Sequence, residues 1–532
     1  MINLYNKINP KVNVVDFGPF MKLKDGTEIT PDDFVYGAAK ITYKDVGALN
    51  ELIELKKNDP EFAKEQIKKG LIKVAGAGHA SMATTPGYWA FVEGDSSKFV
   101  DSVFTGAVFS SSLMPSGRRV PITKEAILIP QGIFDKGNGA TRLYVKTSEK
   151  NIEIYKKMQE MGMPKQEASK IVQYGHRGGG FMFMPLETLI YFSKLSEKDP
   201  LAIPQEAKEI IKQFEEFTHE AGAGITYEAR KAAPRTGNPN PNIFHFRKNL
   251  AQELMKEGNA RFFSSEIINT FDLKSKERKS RIEDFLKYKD SIFKNLKSIK
   301  SNWKNVLGEL ENIVADFNNT ISVTTLTNTP WRVWGEVKRH RTLSQNAESI
   351  YNAVQRANEA KINNENLVTE DVLSMPDFLR KNEEAKNLWV SAFHESLDAY
   401  FKLKETGIKE SDAIAIIPRG IKLGVVKQFD LYNLTTGYSS LRLCSTAEPE
   451  MRKLTEIEMQ LIKNSEEVGE DVKSLIGPKC HSAGFCPELS FGKSCGKVKE
   501  KVVEYNEKFH DNFKKEREDY INSKLDFELN EE

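Results

Sequence analysis

The chain alternates between helical and strand-like hydrophobic periodicity. Strand-like patterns are short: YWAFVEG around Trp89 alternates in character, and ISVTTLTN at 321–328 is β-branched. Apolar residues recur at helical spacing over five longer stretches, Asp45–Gly70, 144–172, 204–220, 247–315 and 344–406. Short β-rich runs mix with turns before about residue 45, and KAAPRTGNPNPN at 231–242 indicates a long loop. This pattern predicts an α/β (α+β) fold, with helices flanking a β-sheet core.

Three pairs of similar segments recur at nearly constant separation. GMPKQEASKIV and GIKESDAIAII each combine a helix end, a glycine and a second helix. The first residues of these two segments are 407 − 162 = 245 positions apart. The last residues of YFSKLS and YSSLR are 442 − 196 = 246 positions apart. Ser116 of SLMPSGRR and Ser349 of SQNAESIY are 349 − 116 = 233 positions apart. The matches predict a tandem repeat. The predicted parts are a first repeat at 1–225, a linker at 226–250, a second repeat at 251–475 and a Cys/His-containing tail at 476–532.

Composition narrows the class of protein. A chain of 532 residues is long enough for two or more domains, and 39% hydrophobic with 29% charged residues is typical of a soluble globular protein. No apolar run approaches a membrane span, and the first residues lack the apolar core of a signal peptide, so we expect a cytoplasmic protein. The 77 basic and 75 acidic residues nearly cancel. We therefore expect no nucleic-acid partner and look for local anion sites.

The stretch RHRTLSQNAES concentrates positive charge. Arg339, His340 and Arg341 are adjacent, and adjacent cations are tolerated on an open surface or around an anion. Seven residues then separate this triplet from Ser349. Further on, LRLCSTAEPEMR contains Arg442 six residues ahead of Glu448. These motifs, in this order and spacing, resemble those of the flavin-dependent thymidylate synthases, whose glutamine is here Glu448.

The first half resembles the same family more faintly. AAKITY places Thr42 at the family's flavin-contacting hydroxyl, and GHAS supplies His79 and Ser81. The RHR triplet is replaced by residues 106–108, GAV, yet the serine, glycine and arginine at 116–118 remain at the family's nucleotide-phosphate position. The second half shows the opposite loss, because Ile350 and Tyr351 stand where the family has the phosphate-binding glycine and arginine.

The resemblance implies a reaction and a composite site. It implies transfer of a one-carbon unit from methylenetetrahydrofolate to dUMP, with NADPH reducing FAD and FAD supplying the hydride. The implied site residues are Arg442 and His79 (catalytic), Arg339, His340, Arg341, Asn346, Thr42 and Ser81 (cofactor-binding), and Ser116, Gly117, Arg118, Glu336, Arg339 and Arg442 (dUMP-binding). The phosphate contacts would come from the first repeat and the flavin contacts from the second. A homodimer of such chains would mimic the family's tetramer.

Simpler interpretations remain open at this point. The RHR triplet could be a solvated basic patch, SGR an ordinary turn, His79 a buried histidine with satisfied hydrogen bonds, and Asn346 a helix cap. At the level of function, the alternatives are a non-catalytic flavin- or nucleotide-binding relative, and a flavoenzyme that transfers a one-carbon unit to another uracil nucleotide.

The tail carries a separate metal hypothesis. Cys480, His481, Cys486 and Cys495 provide enough ligands for a tetrahedral zinc, although their spacing is irregular. A free-thiol or partly disulfide-bonded tail is the alternative. The charged, helix-patterned stretch beyond 497 suggests a solvated or docking helix.

Overall fold

The computed structural model describes residues 5–41, 47–115, 120–234, 241–257, 264–292, 296–363 and 370–483. The chain forms two compact units, Met1–Arg247 with Ser349–Ile421, and Lys248–Glu348 with Lys422–Glu532. Each unit contains one four-stranded sheet with helices packed against it, so the predicted class is confirmed. Both sheets are antiparallel, which places the fold on the α+β side of that prediction. The repeat boundaries near 225 and 251 stay a prediction.

In the first unit the sheet is antiparallel throughout. Its strands lie in the order Asn9–Gly18, Gly87–Asp95, Gly180–Pro185 and Ser111–Leu113. Two short pairs accompany it, Asn6–Lys7 with Leu128–Ile129 and Met21–Lys22 with Glu28–Ile29. One face of the sheet packs against the helix Gln205–Glu220, where the rings of Tyr88 and Phe214 lie 5.1 Å apart.

The helices of the first unit follow largely from the periodicity. They are Pro31–Ile41, Ala48–Asn58, Pro60–Ala75, Ser81–Thr84, Phe99–Phe104, Gln131–Asp135, Asn138–Glu160, Lys165–Ala168, Leu186–Lys198, Gln205–Glu220, Gly224–Ala232, Ile350–Ile362, Asp377–Arg380, Glu383–Glu405 and Glu410–Ala413, with 3₁₀ turns at Lys124–Ala126, Ser169–Ile171 and Ile414–Ile416. The stretch predicted over 45–70 is two helices. Asp59 accepts the backbone N–H of Phe62 and Pro60 occupies the first helical position, so a new helix begins there.

The second unit has its own sheet. The strands lie in the order Ser265–Asp272, Ile321–Pro330, Lys422–Phe429 and Ser344–Ala347. Its helices are Leu250–Glu257, Lys276–Ile292, Leu296–Phe317, Trp331–Val337, Leu431–Thr435, Tyr438–Arg442, Pro449–Asn464, Glu470–Leu475 and Lys479–Ala483, with a 3₁₀ turn at Asn318–Thr320. In the described part of the chain, no helix has the length and apolar character needed to cross a membrane.

Two sequence predictions are wrong in this unit. The stretch 247–315, predicted to be helical, contains the strand Ser265–Asp272, and the stretch 344–406 begins with the strand Ser344–Ala347. Both strands lie at the edges of the sheet, and their side chains are mostly half-buried or exposed. Such segments become strands because they form hydrogen bonds with a strand that is adjacent in the sheet but distant in sequence. Local periodicity does not record these hydrogen bonds.

The two sheets share one topology and one register. If the four strands of each sheet are numbered along the chain, their order across the sheet is first, second, fourth, third in both. Ser111 pairs with Phe183 in the first sheet, and Ser344 pairs with Gln428 in the second. The separations are 344 − 111 = 233 and 428 − 183 = 245. The offsets inferred from the sequence matches thus recur in the pairing of the strands.

Two helices of the first unit carry the same offset. Asn138–Glu160 and Glu383–Glu405 have 23 residues each and pack against one another. Asn151 Nδ2 donates to Ser396 Oγ across 3.0 Å, and 396 − 151 = 245. Each residue of this pair therefore contacts its own counterpart, which is the contact pattern of a local two-fold axis.

Two backbone hydrogen bonds beside these helices are related by the same offset. Gly175 N–H donates to the Ala415 carbonyl across 3.0 Å, and Gly420 N–H donates to the Lys170 carbonyl across 2.7 Å. Adding 245 to 175 and 170 gives 420 and 415, so the two hydrogen bonds exchange under the same offset. Two counterpart segments are thus joined symmetrically within one compact unit.

Candidate functional site

The RHR triplet lies in a tight turn after a short helix. The helix Trp331–Val337 begins where the strand Ile321–Pro330 ends. His340 N–H donates to the Val337 carbonyl across 3.0 Å, and Leu343 N–H donates to the His340 carbonyl across 3.1 Å. These bonds hold the backbone at His340 and fix the direction of its side chain.

Arg442 is held by two partners at this turn. Its Nε donates to His340 Nε2 across 2.7 Å, and its Nη1 lies 2.8 Å from Glu336 Oε2. Its Nη2 also donates to the backbone carbonyl of Glu336 across 3.2 Å. On the other side, Arg332 Nη1 lies 3.4 Å from Glu336 Oε1. The Glu336 carboxylate, whose side chain is 9% exposed, is therefore compensated by two guanidinium groups.

His340 is neutral in this arrangement. Burial is the main cause that lowers its pKa, and the charges of Arg442 and Lys427 lower it further, to about 3. Because Nε2 accepts from a guanidinium, the single ring hydrogen lies on Nδ1. The ring also meets Tyr438 edge to face at a centroid distance of 4.9 Å. The histidine therefore acts as a hydrogen-bond acceptor that orients Arg442.

A buried ion pair lies beneath Tyr438. Lys427 Nζ is 2.7 Å from Glu458 Oε2, and both side chains are almost fully buried. Burial alone would lower the pKa of Lys427, but the Glu458 carboxylate outweighs it and raises the pKa above its ordinary value. Thr327 Oγ1 also donates to Glu458 Oε1 across 3.0 Å. Lys427 Nζ reaches the Tyr438 hydroxyl at 3.4 Å, and the Tyr438 ring contacts His340, so Tyr438 links the ion pair to the arginine site.

Arg339 and Arg341 form the cationic part of the site. Both are half-buried, and burial followed by the charge of Arg339 lowers the pKa of Arg341. Two guanidinium groups close enough to repel each other favour an anion between or beside them. Asn346 has a different position, because its Oδ1 accepts the backbone N–H of Ala251 across 3.1 Å at the start of the helix Leu250–Glu257. Its proposed flavin contact stays a prediction.

The candidates of the first repeat are only partly described. Thr42, Ser116, Gly117 and Arg118 lie outside the described residues. His79 and Ser81 are both exposed, which excludes the interpretation of His79 as a buried histidine. They flank the start of the short helix Ser81–Thr84, after a glycine with positive φ, Gly78. Their proposed roles stay predictions.

The positions 233 residues before Glu336 and His340 carry apolar side chains. At an offset of 233, Val103 corresponds to Glu336 and Ala107 corresponds to His340. Both Val103 and Ala107 are buried. Ala107 N–H donates to the Phe104 carbonyl across 3.4 Å, which repeats the turn at His340. The same turn therefore occurs at both positions, with apolar side chains at Val103 and Ala107 where the later segment has ionisable groups.

The donors at Ser349 and Ile350 already have partners within the chain. Ser349, the counterpart of Ser116, donates its hydroxyl to the His245 carbonyl. Ile350 N–H donates to the Ile243 carbonyl across 2.9 Å, and Tyr351 is buried. The hydroxyl and backbone donors at this position are therefore occupied by backbone carbonyls of the chain itself.

Some residues of the network escape sequence reasoning. Arg332 could have been found from its i,i+4 spacing to Glu336. Lys427 stands as one charge in the apolar strand KLGVVKQF, which is a signal for a buried pair. Its partner Glu458 has no local signal, because it lies on a helix in a charged, amphipathic sequence.

The zinc hypothesis gains no support from the described residues. Cys480 and His481 lie in the helix Lys479–Ala483, while Cys486 and Cys495 fall outside the description. His481 Nε2 lies 3.1 Å from the Ser474 carbonyl. Over the described ranges up to residue 483, there is no group of three or more His, Cys, Asp or Glu able to hold a metal ion.

Comparison with known proteins identifies the segment that carries the network. The sequence model of the family Thy1, described as "Thymidylate synthase complementing protein", matches residues 317–465. Residues 317–465 belong to the Thy1 family. This segment contains Glu336, His340, Arg442 and Glu458, so the family resemblance inferred from the motifs is confirmed. The tandem duplication stays a prediction.

The similarity to curated relatives is partial. The flavin-dependent thymidylate synthase of Pyrococcus abyssi (strain GE5 / Orsay) is 29% identical over 154 residues, which cover 29% of this chain and 59% of the relative. That of Saccharolobus solfataricus is 32% identical over 101 residues, which cover 18% of this chain and 36% of the relative. The chain therefore spans less than two thirds of the length of these relatives.

Solved structures are similar at low identity. A UMP/dUMP methylase PolB from Streptomyces cacaoi bound with 5-Br dUMP is 13% identical, with a TM-score of 0.33, over 43% of this chain and 97% of that chain. A flavin-dependent thymidylate synthase ThyX from Helicobacter pylori complexed with FAD and dUMP is 15% identical, with a TM-score of 0.27, over 40% of this chain and 97% of that chain.

Proposed function

We propose that this Thy1-family chain is an FAD-dependent thymidylate synthase that converts dUMP to dTMP with methylenetetrahydrofolate and NADPH. The observation that carries the proposal is the fixed guanidinium of Arg442, held by His340 and Glu336 within the family segment. A preorganised cation is suited to stabilising negative charge that develops on a substrate carbonyl. The 18% exposure of the Arg442 side chain leaves it accessible to a ligand.

Arg442, His340 and Glu336 have different roles in this proposal. Arg442 would hydrogen-bond a uracil carbonyl through guanidinium N–H groups other than those used in its protein contacts, which orient it. Neutral His340 adds no further positive charge next to Arg442. Glu336 balances Arg442 and Arg332, so its carboxylate would repel a phosphorylated ligand less than an uncompensated one.

The cationic pair fits the flavin cofactor. Arg339 and Arg341 are half-buried, and Arg339 lies close enough for its charge to lower the pKa of Arg341, an arrangement that suits the pyrophosphate of FAD. When bound, FAD would supply the hydride that completes the methyl group. Asn346, Thr42, Ser81 and His79 are the further contacts proposed for flavin or folate.

We place one composite site in each pair of repeats. Ser116, Gly117 and Arg118 would bind the dUMP phosphate, since a guanidinium, a hydroxyl and a close backbone suit a phosphate dianion. The opposite combination is unsuited to the reaction. It would join the apolar turn at Val103 and Ala107 to the serine at Ser349, whose hydroxyl is already occupied. A homodimer of chains would then carry two sites.

A second candidate is a non-catalytic flavin- or nucleotide-binding relative. The observation that favours it is the ion pair between Arg442 and Glu336, which occupies the arginine most needed for chemistry. The two candidates differ in turnover and not in ligand binding.

The experiment is a combined absorbance and turnover measurement on the full chain. The proposal expects a bound oxidised flavin and formation of dTMP from dUMP, with loss of at least about a hundredfold in kcat for Arg442→Lys. Arg281→Lys is the matched control, because Arg281 is an exposed arginine paired with Asp316. Bound flavin and dUMP without any dTMP would support the non-catalytic candidate instead.

A further inference from the structure

Two basic side chains are buried in one part of the first unit. Lys98 is 7% exposed and Arg419 is 2% exposed, and both residues belong to this unit. Lysine and arginine are rarely buried this deeply, because a buried cation loses its hydration and needs a compensating group. The chain therefore bears an electrostatic cost at this place.

Lys98 lies beside His176. Ser97 pairs with Arg177 in an antiparallel bridge, and the Lys98 N–H donates to the His176 carbonyl across 3.0 Å. The Lys98 side chain extends from this point to the Pro115 carbonyl, which accepts from Nζ across 2.8 Å. The backbone of His176 thus fixes the position of the lysine.

Arg419 approaches the same histidine from a distant part of the sequence. Its backbone N–H donates to the Val172 carbonyl across 3.1 Å, and its Nη2 donates to the Ser169 carbonyl across 2.7 Å. Burial lowers the pKa of His176 well below its ordinary value, and the positive charges of Arg419 and Lys98 lower it further. Two cations therefore lie close to one neutral ring.

The contacts of these groups leave the charge in place. His176 Nδ1 lies 2.6 Å from the Gln173 carbonyl, so Nδ1 carries the ring hydrogen and the ring adds no charge. The backbone carbonyls that Lys98 and Arg419 contact accept hydrogen bonds and have no net charge. An anion beside the two cations would offset a cost that these carbonyls do not remove.

The corresponding positions of the other predicted repeat carry aromatic and aliphatic side chains. The correspondences are Trp331 for Lys98 (331 − 98 = 233), Ile421 for His176 (421 − 176 = 245) and Tyr174 for Arg419 (419 − 174 = 245). All three of these counterparts are buried. Packing at the equivalent places is therefore achieved without lysine or arginine, so packing alone does not explain the two cations.

A phosphate group matches the chemistry of this pair. A guanidinium group binds phosphate through paired N–H donors, and an ammonium group binds it as a point charge. Lys98 also contacts the carbonyl of Pro115, which directly precedes Ser116 in the sequence. The pair therefore lies next to the segment proposed above to bind a nucleotide phosphate.

We propose that Lys98 and Arg419 form a binding site for a phosphate group in the first unit. Neither residue belongs to a motif that resembles the thymidylate synthases, so the site extends beyond the residues named for the proposed function. The phosphate group has two sources, a nucleotide such as dUMP and free inorganic phosphate. Only its assignment to the nucleotide rests on the proposed function.

The test is isothermal titration calorimetry of the full chain with inorganic phosphate at constant ionic strength. The wild type is expected to bind phosphate saturably. Lys98→Gln and Arg419→Gln are each expected to raise the Kd by at least about tenfold, because each removes a charge-assisted hydrogen bond. Arg419→Lys, which retains the charge, should bind phosphate more tightly than Arg419→Gln. Lys69→Gln is the matched control, since Lys69 is exposed and paired with Glu65 in the same unit.

Thermal unfolding separates a binding role from a structural one. Phosphate should raise the unfolding temperature of the wild type and of the Lys69→Gln control, since a ligand of the folded state stabilises it. The rise should be smaller in Lys98→Gln and Arg419→Gln, and circular dichroism verifies the fold of each variant. Equal rises in all four proteins, a wild type without saturable phosphate binding, or folded variants with the wild-type Kd would overturn the proposal.

Titration with dUMP distinguishes the two sources. Competition between dUMP and phosphate, with weaker dUMP binding by Lys98→Gln and Arg419→Gln, supports the proposal and assigns the group to the nucleotide. Phosphate binding that dUMP leaves unchanged supports a site for the free anion. Phosphate binding without any dUMP binding supports the site while the proposed function fails. Wild-type dUMP binding in both variants, without saturable phosphate binding, would overturn the site and leave the proposed function standing.

Discussion

Arg442 donates its Nε–H to His340 Nε2 across 2.7 Å, although 102 residues separate them in the chain. This bond assigns His340 as an acceptor and therefore as a neutral ring. It also turns the guanidinium so that its other nitrogens meet Glu336. The orientation of the arginine therefore depends on both partners, and each can be tested separately.

Glu336→Gln removes a charge and keeps an oxygen that Arg442 can bond. We expect dUMP to bind several-fold more tightly, because a carboxylate near a phosphorylated ligand is unfavourable. The free energy of unfolding should fall by about 1–3 kcal/mol, since a partly buried ion pair is replaced by a neutral hydrogen bond. Titration calorimetry with dUMP and urea unfolding measure the two effects. Glu311→Gln, at an exposed helix position, should change neither. Weaker dUMP binding by Glu336→Gln would contradict the prediction.

His340 makes the folded state sensitive to acid. Its pKa is about 3 in the folded protein and near 6.5 in the unfolded chain, so the unfolded state binds more protons between these values. The stabilisation is complete above about pH 6.5 and is lost as the pH falls towards 3. For His340→Gln we expect a smaller slope of unfolding free energy against pH, by at most about 1.4 kcal/mol per pH unit.

Urea unfolding at several pH values above 4 checks this expectation. His219→Gln is the control, because His219 is exposed and its Nε2 lies 3.2 Å from the surface carboxylate of Glu228. An unchanged slope in His340→Gln would show that the ring is not buried in its neutral form.

Lys427 and Glu458 form a buried pair whose loss should be costly. Lys427→Met is expected to lower the free energy of unfolding by about 3–5 kcal/mol, because it leaves the Glu458 carboxylate buried without its cation. Adding Glu458→Leu should restore much of that loss. Denaturant unfolding compares the variants, with Lys287→Met as the exposed control. A double variant less stable than Lys427→Met alone would be inconsistent with this account.

Asn151 and Ser396 test the local two-fold contact. Asn151→Ala should cost about 1–2 kcal/mol, because the Ser396 hydroxyl loses a buried partner. Ser396→Ala should cost a similar amount, and the double variant should cost clearly less than the two single effects added together. A double-mutant cycle by urea unfolding measures this coupling. Strict additivity would mean that the contact contributes nothing.

Much of the candidate site could be inferred from local sequence. The RHR triplet, Arg442 and the offsets near 245 and 233 are visible because motif spacing and repeat spacing are properties of the chain itself. The sequence also predicts the longer helices, since an amphipathic helix records its buried face in its periodicity. It does not predict the edge strand Ser265–Asp272, because the residues that pair with this strand are distant in sequence.

The repeat offsets, the cationic triplet and the class of fold follow from the sequence alone, because they depend on spacing along one chain. The ion pair between Glu336 and Arg442 follows only from the folded chain, since 106 residues separate them. The folded chain also buries Leu326 beneath the helix Leu250–Glu257, whereas Phe91, at the corresponding position of the first sheet, is 40% exposed. Burial and charge compensation depend on which elements pack together, and local periodicity does not encode packing partners.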